Sequence, residues 1–146
     1  VVGHFGGLGA LARQVVLALR QRSATVLAAE QVDPIEQALM ANRGVADVYV
    51  GFESAPESCS IIHHFAVAEF ESVAGRTLAE LIADEAVRSP IRPTVAGVRI
   101  PILRETVMPA VLWRIGPVEA LTSSAPEITR HVVRGLVRWT DTHSEN

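Results

Sequence analysis

Lysine is absent from this chain: all 13 of the Lys+Arg residues among its 146 positions are arginine. That excludes the lysine of a phosphate-binding P-loop, a Schiff-base lysine and a Tyr-x-x-x-Lys acid–base pair. Cys59 is the single cysteine, which excludes an intrachain disulfide and a cysteine-rich zinc cluster and leaves the redox compartment open. Aromatic residues make up only 5%, so aliphatic side chains must fill the interior. No apolar run approaches the roughly 20 residues that cross a bilayer. No signal-peptide pattern is visible either, and no membrane insertion is expected of this segment. The opening Val1-Val2 lacks methionine, which reads as a piece of a longer chain. A net charge of -3 leaves no basic footprint, so nucleic acid is not expected as a partner.

What is present is apolar. A hydrophobic share of 49% with 20% charged residues belongs to a packed globule rather than a disordered segment. The length suits one domain with its own core. The expectation is a single domain over residues 1–140 and a frayed tail over 141–146. Val1-Val2 reads as a clipped strand, and Leu8 to Arg22 as a helix with Leu8, Leu11, Val15 and Leu19 on one face. Ala24–Ala29 reads as a short strand. Asp33-Pro34-Ile35-Glu36 has helix-start chemistry, with Asp at the cap and Pro in the first turn. DVYVGF (Asp47–Phe52) and SIIHHFAVA (Ser60–Ala68) are expected strands, and Ser72–Val87 a long helix. Thr94–Leu103 is expected to hold a strand with Pro101 at an edge or a bulge. PAVLWRI (Pro109–Ile115) is a further strand. Ser124-Ala-Pro-Glu127 reads as a capping box opening the last helix. This alternation indicates an α/β layered fold.

The stretch VVGHFGGLGA (Val1–Ala10) places a histidine among glycines between a strand and a helix. Gly3, Gly7 and Gly9 suit a loop whose amides meet a pyrophosphate, and Glu30 at the end of the next strand suits a ribose hydroxyl. A small dinucleotide-binding, Rossmann-like module is therefore one reading. The same glycines also serve a tight strand-to-helix turn with no ligand.

A second reading covers more of the chain. DPIEQALMANRGVADVYVGFES, then a strand, then SVAGRTLAELI, then GVRIPILRETVMPAVLWRIG resembles, in order and spacing, the zinc-dependent N-acetylmuramoyl-L-alanine amidases of peptidoglycan metabolism. The matching positions are Ala41-Asn42, Ala46-Asp47, the helix pattern Ser72, Leu78, Ala79 and Ile82, and the segment from Leu103-Arg104 through Met108-Pro109-Ala110-Val111-Leu112 to Gly116. The resemblance implies a twisted, mostly parallel sheet with helices on both faces. It implies zinc held by His, Glu, His and a water whose pKa the metal lowers to about 7. A further glutamate would act as general base and then acid.

Carried over residue by residue, that machinery is depleted. His4 stands for the first zinc histidine, which in the family lies in Asp-Pro-Gly-His-Gly-Gly. No acidic residue lies between Gly3 and Arg22 to supply the glutamate ligand. Glu53 stands for the second histidine and Arg114 for the catalytic glutamate. A guanidinium cannot act as a base near neutral pH. Gln37 replaces the arginine usual before Ala-Asn. His63 and His64, where the family often has paired tyrosines, are adjacent on a strand and so point to opposite faces. A packing role is expected of them, surface exposure of Arg104 and Glu105, and core or rim positions of Trp113 and Trp139.

The expectation is thus a catalytically degenerate amidase-like domain, similar to inactive actinobacterial amidase-like cell-wall regulators. His4, Glu53 and Arg114 are its candidate ligand-binding cleft, with Arg114 either contacting Glu53 or facing a cleft that accepts an anionic group such as a muropeptide carboxylate. No catalytic residue, no metal and no cofactor are expected. The partner would be a peptidoglycan fragment or a cell-wall synthesis protein, at the cell envelope or on the cytoplasmic side of cell-wall synthesis. Two alternatives stay open: an active amidase with altered metal ligands, holding zinc, and the dinucleotide module.

Overall fold

The computed structural model describes residues 1–144. The chain alternates β1 (Val2–Phe5), α1 (Gly9–Gln21), β2 (Ala28–Ala29), α2 (Pro34–Arg43), β3 (Tyr49–Ser54), β4 (Cys59–Val67) and β5 (Phe70–Glu71). It continues through α3 (Val73–Glu85), β6 (Thr94–Val98), α4 (Pro101–Glu105), β7 (Ala110–Gly116) and α5 (Val118–His143). Among the described residues the strands form one seven-stranded sheet in the order β2-β1-β3-β7-β4-β5, with β6 paired to β4. The pairs β2–β1, β1–β3, β3–β7 and β4–β6 are parallel. Only β4–β7 and the β4–β5 hairpin are antiparallel. The sheet is therefore mostly parallel, with helices on both faces, as the sequence implied.

Local chemistry explains most boundaries. The Asp33 carboxylate accepts from the amides of Ile35 at 2.7 Å and Glu36 at 3.2 Å, and Pro34 enters at the first turn. There a missing N–H is not needed. Ser72 caps α3 by accepting from the Gly75 amide at 3.1 Å.

Four expectations need correction. The strand before Pro101 stops at Val98, and Pro101 opens α4, because a first helical turn tolerates proline better than a sheet does. The Ser124–Glu127 capping box caps nothing: α5 begins at Val118 and carries Pro126 inside it. Of Ala24–Ala29 only the last two residues pair as a strand. The carbonyl of Val26 instead accepts from the Arg20 guanidinium at 2.9 Å. The tail expected to fray over 141–146 is helical through His143, with the Thr142 hydroxyl donating to the Trp139 carbonyl at 2.9 Å. Residues 145–146 of that expectation lie outside the described residues.

Strand alternation sorts the core into two layers. Val2, Val50, Phe52, Ile62, Val111, Trp113 and Ile115 pack with the apolar faces of α1, α3 and α5. Tyr49, Ala110 and Leu112 pack with Ala38 and Ala41 of α2 and Ile102 and Leu103 of α4. Burying each large side chain stabilises by about 1.5–3 kcal/mol. The polar tip of Trp113 is also satisfied: its indole N–H donates to the Ser60 hydroxyl at 3.0 Å, which donates to the Ile91 carbonyl at 2.7 Å.

Candidate functional site

Parallel strands in register put equivalent positions side by side on one face. At the carboxyl ends of β1, β3 and β7, Phe5 pairs with Glu53, and Glu53 with Arg114. Arg114 in turn lies opposite Ile61 of β4. These side chains share the α2/α4 face of the sheet. His63, two residues along β4 and paired with Leu112, points to the same face.

The loop from β3 to β4 folds back over this edge. The amide of Ala55 donates to the Ile115 carbonyl at 2.9 Å. Under the loop sits Gly116, where a Cβ would strike the carbonyl oxygens of Ala55 and Glu57. The loop thereby delivers the Glu57 carboxylate to the Arg114 guanidinium, Oε1 to Nη2 3.1 Å. The glycine turn is tied to the same end of the sheet. Gly6 and Gly7 both adopt positive φ, 77° and 81°, and the Ser54 hydroxyl donates to the Gly6 carbonyl at 2.7 Å.

Two polar atoms on this face lack partners: Nε of Arg114 and Nδ1 of His63 are buried without a hydrogen bond. Burial pushes the His63 pKa down, the Glu53 carboxylate and a hydrogen bond with the Ala96 backbone pull it back up, and Arg114 and His64 add to the lowering. His63 is therefore a neutral imidazole at neutral pH.

The sequence-derived trio does not assemble. Glu53 and Arg114 lie side by side, but the Arg114 ion pair is to Glu57, not to Glu53 as expected. His4 pairs in register with Phe52 and faces the opposite side of the sheet. There it sits against Gly9 of α1 and lines a cavity of about 170 Å³ with Arg13, Arg20 and Glu30. The reason is the two-residue period of a strand. Directly before the Gly6-Gly7 pair, and on the face with Glu53 and Arg114, stands Phe5, a side chain with no ligand atom. Phe5 and Glu57 were not singled out from sequence, and His63, expected only to pack, faces the same side of the sheet as Arg114. Only Phe5 had a local signal, its place immediately before Gly-Gly.

The donor set does not fit zinc. Structural and catalytic zinc sites use three or four His, Cys, Asp or Glu ligands. Among the described residues, no group of three or more such side chains is placed to hold a metal ion. The cavity at the glycine loop is likewise too small for a dinucleotide, since pockets for ligands of that size hold about 300–1,000 Å³. A larger cavity, about 900 Å³, opens at the opposite, amino-terminal end of the sheet, lined by Leu19, Asp47, Val133 and Trp139. Neither cavity includes Glu53 or Arg114.

The sheet order, the helices on both faces and the site edge at the carboxyl ends of β1, β3 and β7 define an amidase-type α/β fold. Solved structures agree. The chain is similar to the catalytic domain of CwlV, an N-acetylmuramoyl-L-alanine amidase from Bacillus (Paenibacillus) polymyxa var. colistinus. The TM-score is 0.73 at 18% identity, covering 96% of this chain and 98% of that one. It is similar to the N-acetylmuramoyl-L-alanine amidase AmiC2 of Nostoc punctiforme, with a TM-score of 0.71 at 17% identity over 96% of each chain. The CwlD amidase from Clostridioides difficile, solved in complex with the GerS lipoprotein, matches with a TM-score of 0.62 at 13% identity over 97% of this chain and 98% of that one. No family model and no curated protein matches the sequence. The fold is that of the N-acetylmuramoyl-L-alanine amidases.

Proposed function

We propose that this domain binds rather than cleaves: a catalytically degenerate amidase-fold module of peptidoglycan metabolism whose carboxyl sheet edge takes a peptidoglycan fragment. One observation carries the reading. The row that meets at the carboxyl edge is Phe5, Glu53 and Arg114, where zinc hydrolysis requires a set of metal ligands and a carboxylate base. Glu53, Glu57 and His63 are the donors at this edge, but Glu57 is engaged by Arg114, and among the described residues no three such groups are placed to hold a metal ion. Phe5 offers no ligand atom, and Arg114 is a cation that neither binds zinc nor accepts a proton near neutral pH. Without a metal to activate water, amide hydrolysis loses both its nucleophile and the stabilisation of its oxyanion.

The complex of the CwlD amidase with the GerS lipoprotein supports a second reading, in which the ligand of this domain is a cell-wall protein. The test is a set of three measurements on the domain purified without chelator. We expect no stoichiometric zinc by elemental analysis, no release of peptide from purified peptidoglycan, and co-sedimentation with the sacculi. One tightly bound zinc per chain, with a chelator-sensitive activity, would return the protein to the active amidases. Absence of sedimentation would favour the protein ligand.

A further inference from the structure

The row around Arg114 carries two features that zinc loss alone does not explain. Arg114 is held by a carboxylate from an exposed loop, although Glu53 is its direct neighbour in register. Beside that contact, Nε of Arg114 and Nδ1 of His63 are buried and unpartnered. Buried polar atoms in native proteins are nearly always hydrogen-bonded to protein, ligand or ordered water, so the Nε–H of Arg114 is a donor still open to an occupant.

We propose that Arg114 is a carboxylate-binding site and that Glu57 is its built-in occupant, displaced when a ligand carboxylate arrives. The proposal rests on the binding reading above and specifies the chemistry of the ligand. A planar guanidinium offers a fork of N–H donors that matches a carboxylate in two-point contact. Glu57 already uses one arm of that fork, from a side chain that is 55% exposed. An ion pair this open to water contributes little net stability. It therefore shields Arg114 without locking it. Exchange of one carboxylate for another leaves the local charge unchanged, so the site gains from a ligand that also fills the remaining donors.

The same geometry selects against phosphate. Glu53 stands next to Arg114, and a dianion would meet that carboxylate at close range. His63, kept neutral by burial, adds no compensating positive charge. A monoanionic carboxylate is the group whose charge and shape fit.

The experiment uses N-acetylglutamate and its diamide as probes, followed by NMR through the backbone amides of Glu53 and Ile115. N-acetylglutamate is expected to bind the unmodified domain and the diamide not to bind. In Glu57→Gln the acid should bind about two- to fivefold tighter, the range set by an exposed ion pair. In Arg114→Gln saturable binding should vanish, while Arg114→Lys keeps the charge, loses the fork and binds more weakly than the parent. Equal binding of acid and diamide, unchanged or weaker binding in Glu57→Gln, or tighter binding of inorganic phosphate than of the acid would overturn the proposal. Failure here and failure of the module reading are separable. A domain that sediments with sacculi but ignores N-acetylglutamate loses only the carboxylate site. One that binds the acid but not sacculi loses only the peptidoglycan assignment.

Discussion

Glu53 and Arg114 are register partners on adjacent parallel strands, yet the guanidinium turns to Glu57, 3.1 Å away on the following loop. Arg114 is thus flanked by two carboxylates and makes its ion pair with the one on the β3–β4 loop. Placing an acid at this position would not by itself supply hydrolytic chemistry. In Arg114→Glu three carboxylates would crowd one edge, with Phe5 still offering no ligand. We expect no peptide release from peptidoglycan, with or without added zinc. We also expect lower stability at neutral pH that recovers on acidification, because crowded carboxylates hold protons more tightly when folded than when unfolded. Zinc-stimulated hydrolysis by that variant would show that metal ligands are present after all.

A buried polar knot fixes β1 against α2. The Tyr49 hydroxyl donates to Gln37 Oε1 at 2.8 Å, and Gln37 Nε2 donates to the carbonyls of Gln31 at 2.7 Å and His4 at 3.2 Å. Gln37 is fully buried, and burial holds the Tyr49 phenol above its usual range. Gln37→Leu strands a hydroxyl and two carbonyls, for an expected loss of about 2–4 kcal/mol. Tyr49→Phe strands only the amide oxygen and should cost about half as much. Urea unfolding of both variants and the double variant checks this, and additive losses would show that the two side chains do not act together.

Gly116 has a positional role that composition could not reveal. A Cβ there would meet the backbone oxygens of Ala55 and Glu57, and backbone cannot swing aside as a flexible side chain can. Gly116→Ala should therefore cost at least about 2 kcal/mol in urea unfolding. It should also shift the backbone amide signals of the 55–58 loop. A variant of native stability would mean that the loop is free to lift, and with it Glu57.

The layered fold was legible because its evidence is periodic and local: the Asp33 and Ser72 caps, the β3 and β7 strands and the apolar faces of α1 and α3 all fall where their patterns put them. Errors came where local chemistry had two outcomes. Pro101 suits a strand edge as well as a helix start, and Ser124-Ala-Pro-Glu127 has the right residues for a cap but lies inside a helix that tertiary packing extends. The site was half legible. Glu53 and Arg114 share an edge because strand order brings them together, but a one-residue offset sends His4 to the other face and leaves Phe5 in its place. Glu57 carried no signal, since an exposed glutamate in a turn finds its partner only through the loop's path over Gly116.

Acid sensitivity follows from His131. It is 6% exposed, and neither ring nitrogen has a hydrogen-bond partner. Burial pushes its pKa down, Glu127 and Glu85 oppose this, and Arg130 and Arg134 add to it. The Glu127 carboxylate stands 3.8 Å away, too far to make a hydrogen bond. In the unfolded chain the imidazole titrates near about pH 6.5. Below that pH the unfolded state gains a proton that the folded state takes up only at lower pH. Stability is therefore fully present above the unfolded pKa and declines as pH falls from there toward the folded value. His63, also lowered by burial, acts with the same sign, and each histidine contributes at most about 1.4 kcal/mol per pH unit. Urea midpoints should drop between about pH 7.5 and about pH 5.5. His131→Leu should flatten that slope, and at the upper pH it should be neutral or stabilising, because two orphaned nitrogens leave the interior. An unchanged slope in His131→Leu would mean that the ring already finds its proton in the folded protein, through Glu127.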